Sequence, residues 1–170
     1  MTDLCFSRTS DSLLHLTKTF LLGICCCWLP GDAVSLFAAE PISSLGVFKR
    51  TTITVSLAEN EGHQILFTTI GLMQRDSSKT HPYVLKGENH YKVFAIGDDD
   101  RITDVDLAIY DEQGKLIKQD DSSGNISEIE FDVDTEQTIL MKVEPYAMKE
   151  GLQEGFYGLV VIRLQEEKSE

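Results

Sequence analysis

Over the second two thirds of the chain, apolar and polar residues alternate with period two. The clearest stretch is Glu128-Ile129-Glu130-Phe131-Asp132-Val133, which sends Ile129, Phe131 and Val133 to one face and three acids to the other. Residues 104–110 alternate in the same way and turn Val105, Leu107 and Ile109 inward, where Val93 and Val160 are expected to join them. By contrast, 91–96 and 156–164 are apolar on both faces, the pattern of central strands covered on two sides. Further strands are predicted over 51–57, 64–70, 81–85, 115–118 and 138–143. Such short strands, with no amphipathic helix between them, predict an all-β protein: a two-sheet antiparallel β-sandwich of about 8–9 strands. Turn chemistry fits, because Asp111-Glu112-Gln113-Gly114 reads as a tight hairpin turn with glycine in the left-handed position. Residues 86–89 and 120–125 supply the next loops.

The amino-terminal part follows another pattern. Residues 20–29 are an uncharged apolar run, with Lys18 just before it and Pro30-Gly31 just after it. The run is far shorter than the ~20 residues a membrane-spanning helix needs, and it has the length of a signal-peptide core. Ala33-Val34-Ser35 offers small residues where signal peptidase reads them, so cleavage is expected after Ser35, with Ala38 or Ala39 as later alternatives. The expected organisation is a signal peptide over 1–35, a short leader over 36–50, the sandwich over 51–165 and a polar tail over 166–170. After cleavage no membrane span is expected to remain. Cys5, Cys25, Cys26 and Cys27 all fall in the signal segment, so the exported chain would depend on its core without disulfides. Ile24 is bulky where a lipoprotein peptidase takes a small residue, which argues against acylation at Cys25.

Charge narrows the partners. The chain carries 28 Asp+Glu against 15 Lys+Arg, a net charge of −13, with no basic block that could reverse the sign locally. Nucleic acid and anionic membranes are therefore excluded as partners. The acids are densest over 98–121, where nine face three bases. Within this run Asp98, Asp100, Asp104 and Asp106 form a set of hard oxygen ligands of the kind calcium takes, although the spacing does not fit an EF-hand. The competing expectation is structural, with Asp98–Asp100 forming a turn and Asp104 or Asp106 bonding loop amides. His63, His81 and His90 show no zinc spacing, and neither a nucleophile elbow nor a glycine-rich phosphate loop is present. The sole tryptophan, Trp28, lies in the signal segment, so the sandwich has no tryptophan platform for a sugar.

The stretch 83–164 resembles the pre-peptidase C-terminal (PPC) domain, a jelly-roll-like β-sandwich of exported bacterial proteins. The resemblance rests on Leu85-Lys86-Gly87 followed by Tyr91, on Asp104-Val105-Asp106-Leu107-Ala108-Ile109-Tyr110-Asp111, on Gly114-Lys115-Leu116, on Asp120-Asp121 and on Gly155-Phe156-Tyr157-Gly158-Leu159-Val160-Val161. No cysteine flanks Gly97-Asp98-Asp99-Asp100, where some members carry one. The resemblance implies a non-catalytic binding or assembly module in the bacterial periplasm or outside the cell, with a protein or polysaccharide partner and an association with an exported protease among its roles. The alternatives are a small hydrolase using the Asp98–Asp106 acids and a calcium-stabilised module that binds carbohydrate or protein.

Overall fold

The structure is a computed structural model and describes residues 43–120 and 122–165. The expected signal peptide, its cleavage sites, the cysteines, Asp121 and the 166–170 tail lie outside the described residues. One helix, α1 (Leu45–Asn60), precedes eight strands: β1 (Gln64–Gln74), β2 (Lys79–Leu85), β3 (Asn89–Gly97), β4 (Ile102–Asp111), β5 (Leu116–Asp120), β6 (Ile126–Val133), β7 (Gln137–Met148) and β8 (Glu154–Arg163). They form two four-stranded sheets, ordered β1-β8-β3-β6 and β2-β7-β4-β5, with every neighbouring pair antiparallel. The protein is a two-sheet antiparallel β-sandwich. Among the described residues no helix is long and apolar enough to cross a membrane.

Alternation builds the main core. Tyr91, Val93 and Ala95 of β3, Ile129, Phe131 and Val133 of β6, and Tyr157, Leu159 and Val161 of β8 face the second sheet. That sheet answers with Val105, Leu107 and Ile109 of β4 and Ile139, Met141 and Val143 of β7. Glu128, Glu130 and Asp132 face outward, as the period-two pattern requires. The doubly apolar strands β3 and β8 are the two central strands of their sheet. The hairpin turn also forms as expected: Gly114 has φ +79°, its amide donates to Asp111 O at 3.0 Å, and the Asp111 carboxylate accepts from the amides of Gln113 and Lys115.

The expected strand over 51–57 does not exist; those residues belong to α1, so the strands among the described residues number eight. The β-branched run of Thr51, Thr52, Ile53, Thr54 and Val55 favours a strand locally, but tertiary burial overrides that preference. Phe94, Ile96, Phe156, Val160 and Ile162 line the outer face of the first sheet, and α1 covers them with Val47, Val55 and Ala58. Val160 is therefore buried beneath the helix rather than between the sheets. At the start of α1 the side chain of Ser44 makes no cap and Ser43 Oγ accepts from Leu45 N at 3.3 Å, while no acid in its first turn or base in its last turn supports it. Its stop is local, since Gly62 at φ +81° donates to Glu59 O and His63 N donates to Ala58 O, closing the last turn. Because α1 begins at Leu45 and buries Val47, packed residues start before Thr51.

Candidate functional site

The acidic run begins where β3 leaves its sheet. Asp98 is only 2% exposed, and its Oδ1 accepts from the amide of Asp100 at 3.1 Å, while its carbonyl accepts from the amides of Arg101 and Ile102. The turn is thus held by its own first residue. Arg50 reaches it from α1, donating to Gly97 O at 2.7 Å and pairing with Asp99, whose carboxylate also accepts from Asn125. Burial lowers the Arg50 pKa from its ordinary value and the charges of Asp98 and then Asp100 oppose the drop, so the guanidinium stays charged. Asp104 turns to the neighbouring loop, where its Oδ1 accepts from Gly124 N at 2.9 Å and Val105 N donates to Gly124 O. Asp106 lies farther along β4, opposite Glu144 and within the field of Lys142.

The structure therefore gathers Asp98, Asp99 and Asp100 around Arg50 and does not bring Asp98, Asp100, Asp104 and Asp106 together. Among the described residues no group of three or more His, Cys, Asp or Glu side chains is placed to hold a metal ion. Since Asp98 and Asp104 are committed to backbone amides, calcium and magnesium at equal ionic strength are expected to shift the melting midpoint by the same small amount, through screening alone. A calcium-selective rise, worth about 2.7 kcal/mol at a concentration 100 times the dissociation constant, would instead show that the acids regroup around the ion.

A second charged array escaped the sequence reading. β3 and β6 pair His90 with Asp132, Lys92 with Glu130 and Phe94 with Glu128. His90 Nδ1 lies 2.6 Å from Asp132 Oδ1 and its Nε2 2.7 Å from Glu130 Oε1, while Lys92 Nζ bridges Glu128 at 2.9 Å and Glu130 at 3.0 Å. Opposite charges thus alternate along one sheet face. Bonding to Glu130 and then to Asp132 raises the His90 pKa, and Glu130 is lowered by His90 and then by Lys92. A group raised on folding stabilises fully below its unfolded pKa of about 6.5 and stops doing so as pH climbs through the raised value. His90→Gln is therefore expected to cost roughly 0.3–1 kcal/mol at pH 5.5 and to lose much of that cost by pH 8.5, as read by urea unfolding at both pH values. A cost that grows with pH would contradict the pairing. Only the acidic half of this array was legible in the sequence, because its basic partners lie about forty residues away.

Other titratable groups are tied into the fold. Burial alone would raise Asp120, but hydrogen bonds from Ser122, Glu128 N and Ser127 outweigh it and hold its carboxyl below the ordinary value. His81 is lowered by burial and then by Lys79, and its Nε2 shares a hydrogen bond with Tyr157 OH at 2.7 Å. A cleft of about 370 Å³ lies at the far end of the sandwich from the Asp98 turn, lined by Val84, Asp111, Glu112 and Glu136.

Comparison with known proteins adds a likeness of fold. No family model and no curated protein matches the chain. Among solved structures it is similar to the pre-peptidase C-terminal domain of a collagenase from Bacillus anthracis, with 15% identity, a TM-score of 0.45, and coverage of 56% of this chain and 87% of that one. It is also similar to a periplasmic inhibitor of g-type lysozyme from Aeromonas hydrophila, with 13% identity, a TM-score of 0.44, and coverage of 61% and 90%.

Proposed function

We infer that the chain is a non-catalytic, exported β-sandwich that binds or assembles with a protein in the periplasm or outside the cell. One observation carries the non-catalytic part. Within the densest set of reactive side chains, the Asp98–Asp106 acids, Asp98 closes the β3–β4 turn on itself, Asp99 ties it to Arg50 of α1, and Asp104 bonds the loop before β6. The partner's chemistry follows from charge. A chain of net charge −13 attracts a basic protein surface, with an association rate that falls as salt screens the attraction. The PPC resemblance makes an exported protease the first partner to try.

Export is tested by expressing the chain in a bacterium, fractionating the cells and sequencing the amino terminus of the product. A chain recovered from periplasm or medium and beginning at Leu36, or just after Ala38 or Ala39, is expected. An uncleaved chain confined to the cytoplasm overturns the exported role. The non-catalytic reading fails if the purified protein hydrolyses a glycan or peptide and Asp100→Asn abolishes that activity.

A further inference from the structure

The outer face of the first sheet is only partly roofed. Val47, Thr51 and Ala58 bury one side of α1 against it, with Val47 and Thr51 over Gly158 of β8. The helix keeps other large apolar residues in water, Ile53 at 58% and Leu57 at 56% exposure. These two stand one turn apart on one side of α1. Beside them opens a hollow of about 220 Å³, walled by Thr54, Leu57 and Ala58 and floored by Phe94 of β3 and Ile162 of β8. It is smaller than the ~300–1,000 Å³ of a site for a drug-sized ligand, and its size suits a single large side chain.

The hollow is apolar inside and acidic at its rim. Glu61 stands at the end of α1, and β6 sets Glu130 and Glu128 directly opposite Lys92 and Phe94 of β3. Lys92 lines the hollow, but its ammonium is already shared between Glu128 at 2.9 Å and Glu130 at 3.0 Å, and it stands 5.9 Å from the centre of the Phe94 ring. His63 is occupied too, accepting from Gln165 N through Nδ1 at 3.2 Å and turning Nε2 towards Glu61, 3.6 Å away. Even with His63 protonated, three acids outnumber two bases. An apolar patch ringed by charge has the anatomy of a protein interface, with an anchor at its centre and polar groups around it.

We propose that the hollow between α1 and β3 seats one large apolar side chain of a partner protein, while Lys or Arg residues flanking that side chain meet Glu61, Glu128 and Glu130. The proposal rests on the reading of the chain as a binder of basic protein surfaces and says where the anchor goes. Charge selects this occupant over others. A second copy of a chain of net charge −13 would bring acids to acids. The sequence that follows Leu164, from Gln165 to Glu170, has three acids and no apolar residue, so the chain's own end offers no anchor. Burial of the anchor supplies the affinity, and the rim acids steer the approach.

The test titrates the purified full chain with three blocked peptides, Lys-Lys-Phe-Lys-Lys, Lys-Lys-Ala-Lys-Lys and Glu-Glu-Phe-Glu-Glu, and follows its amide signals by NMR. The basic phenylalanine peptide is expected to shift the amides of Leu57, Phe94 and Ile162 and to bind about tenfold or more tightly than the alanine peptide, while the acidic peptide stays free. Thr54→Trp fills the hollow from α1 and should weaken the phenylalanine peptide about tenfold. Glu61→Lys reverses one rim charge at a helix end that favours a base, and should weaken it roughly threefold to tenfold at low salt, with the loss shrinking as salt is added. It carries the test alone if the tryptophan variant does not fold. Equal binding of the two basic peptides, with shifts elsewhere, overturns the hollow as the anchor site and leaves the attraction of basic surfaces standing. If neither basic peptide binds, the proposal falls and so does the charge argument for a basic partner. A doubled chain mass in light scattering that Thr54→Trp abolishes gives the hollow to a second copy and also overturns it.

Discussion

Phe131→Ala is expected to destabilise the sandwich by about 3–5 kcal/mol, a large part of the ~5–15 kcal/mol that holds a typical domain. Phe131 is 8% exposed on β6, and its ring stands 6.3 Å from that of Tyr91, the residue opposite it on β3. Truncation removes the apolar surface the ring buries and leaves a cavity between the sheets. Its neighbours are Tyr91, whose hydroxyl is anchored to Lys86 O at 2.8 Å, and residues of the second sheet, so the walls are poorly placed to collapse inward. Glu130, one residue away, faces water and shares only exposed ion pairs, so Glu130→Ala should cost no more than about 1 kcal/mol. Urea unfolding of the two variants reads the alternation directly. Equal costs, or a larger cost at Glu130, would contradict the inward placement of Phe131.

The second large effect is expected where α1 meets the sheet. Gly158 of β8 lies under Thr51, and a β-carbon added at Gly158 would stand 2.2 Å from Thr51 Oγ1 and 3.5 Å from a Val47 methyl. Both partners are buried in the helix face, Thr51 at 3% exposure, so Gly158→Ala must displace the threonine or lift the helix, at about 1–3 kcal/mol. The Thr51 hydroxyl is also buried without a hydrogen-bond partner among the described residues. Thr51→Ala alone should therefore be neutral or slightly stabilising, since it removes an unpaired polar atom and introduces a better helix former. In the double variant the clash is gone, because the Thr51 β-carbon lies at 3.4 Å from the added atom. Most of the lost stability should return, giving a coupling energy of about 1 kcal/mol or more in the mutant cycle. Strictly additive costs would mean that α1 does not pack on β8 at this point.

These two sites also show what can and cannot be read along the chain. Phe131 was legible because alternation is local: in a strand half buried against a core, each residue's neighbours at two positions share its fate, so the pattern exposes the inward face without knowledge of the partner strand. The same logic picked out β3 and β8 as central strands. Their apolar outer residues, Phe94, Ile96, Val160 and Ile162, implied a cover on the far side of the sheet but not what it would be.

The cover is α1, and its own residues announce a strand instead, because its β-branched run favours one and no acid stands in its first turn. The helix signals lie at its ends: Ser43, whose Oγ accepts from Leu45 N, and Glu61-Gly62, which closes its last turn. The acidic turn divides in the same way. That Asp98–Asp100 form a turn is a property of adjacent residues, and so could be expected. That Arg50 holds the turn from 47 residues away, that Asn125 bonds Asp99, and that Asp104 serves the Gly124 loop are long-range facts. The sequence by itself determined the eight strands, most of their inward faces and the hairpin turn, because each depends on residues within a few positions; it misplaced Val160 and took residues 51–57 for a strand. The tertiary structure decided the helix, the partners of the acids and the hollow beside α1, because burial and charge pairing answer to neighbours in space, and β-sheet pairing brings those neighbours from anywhere along the chain.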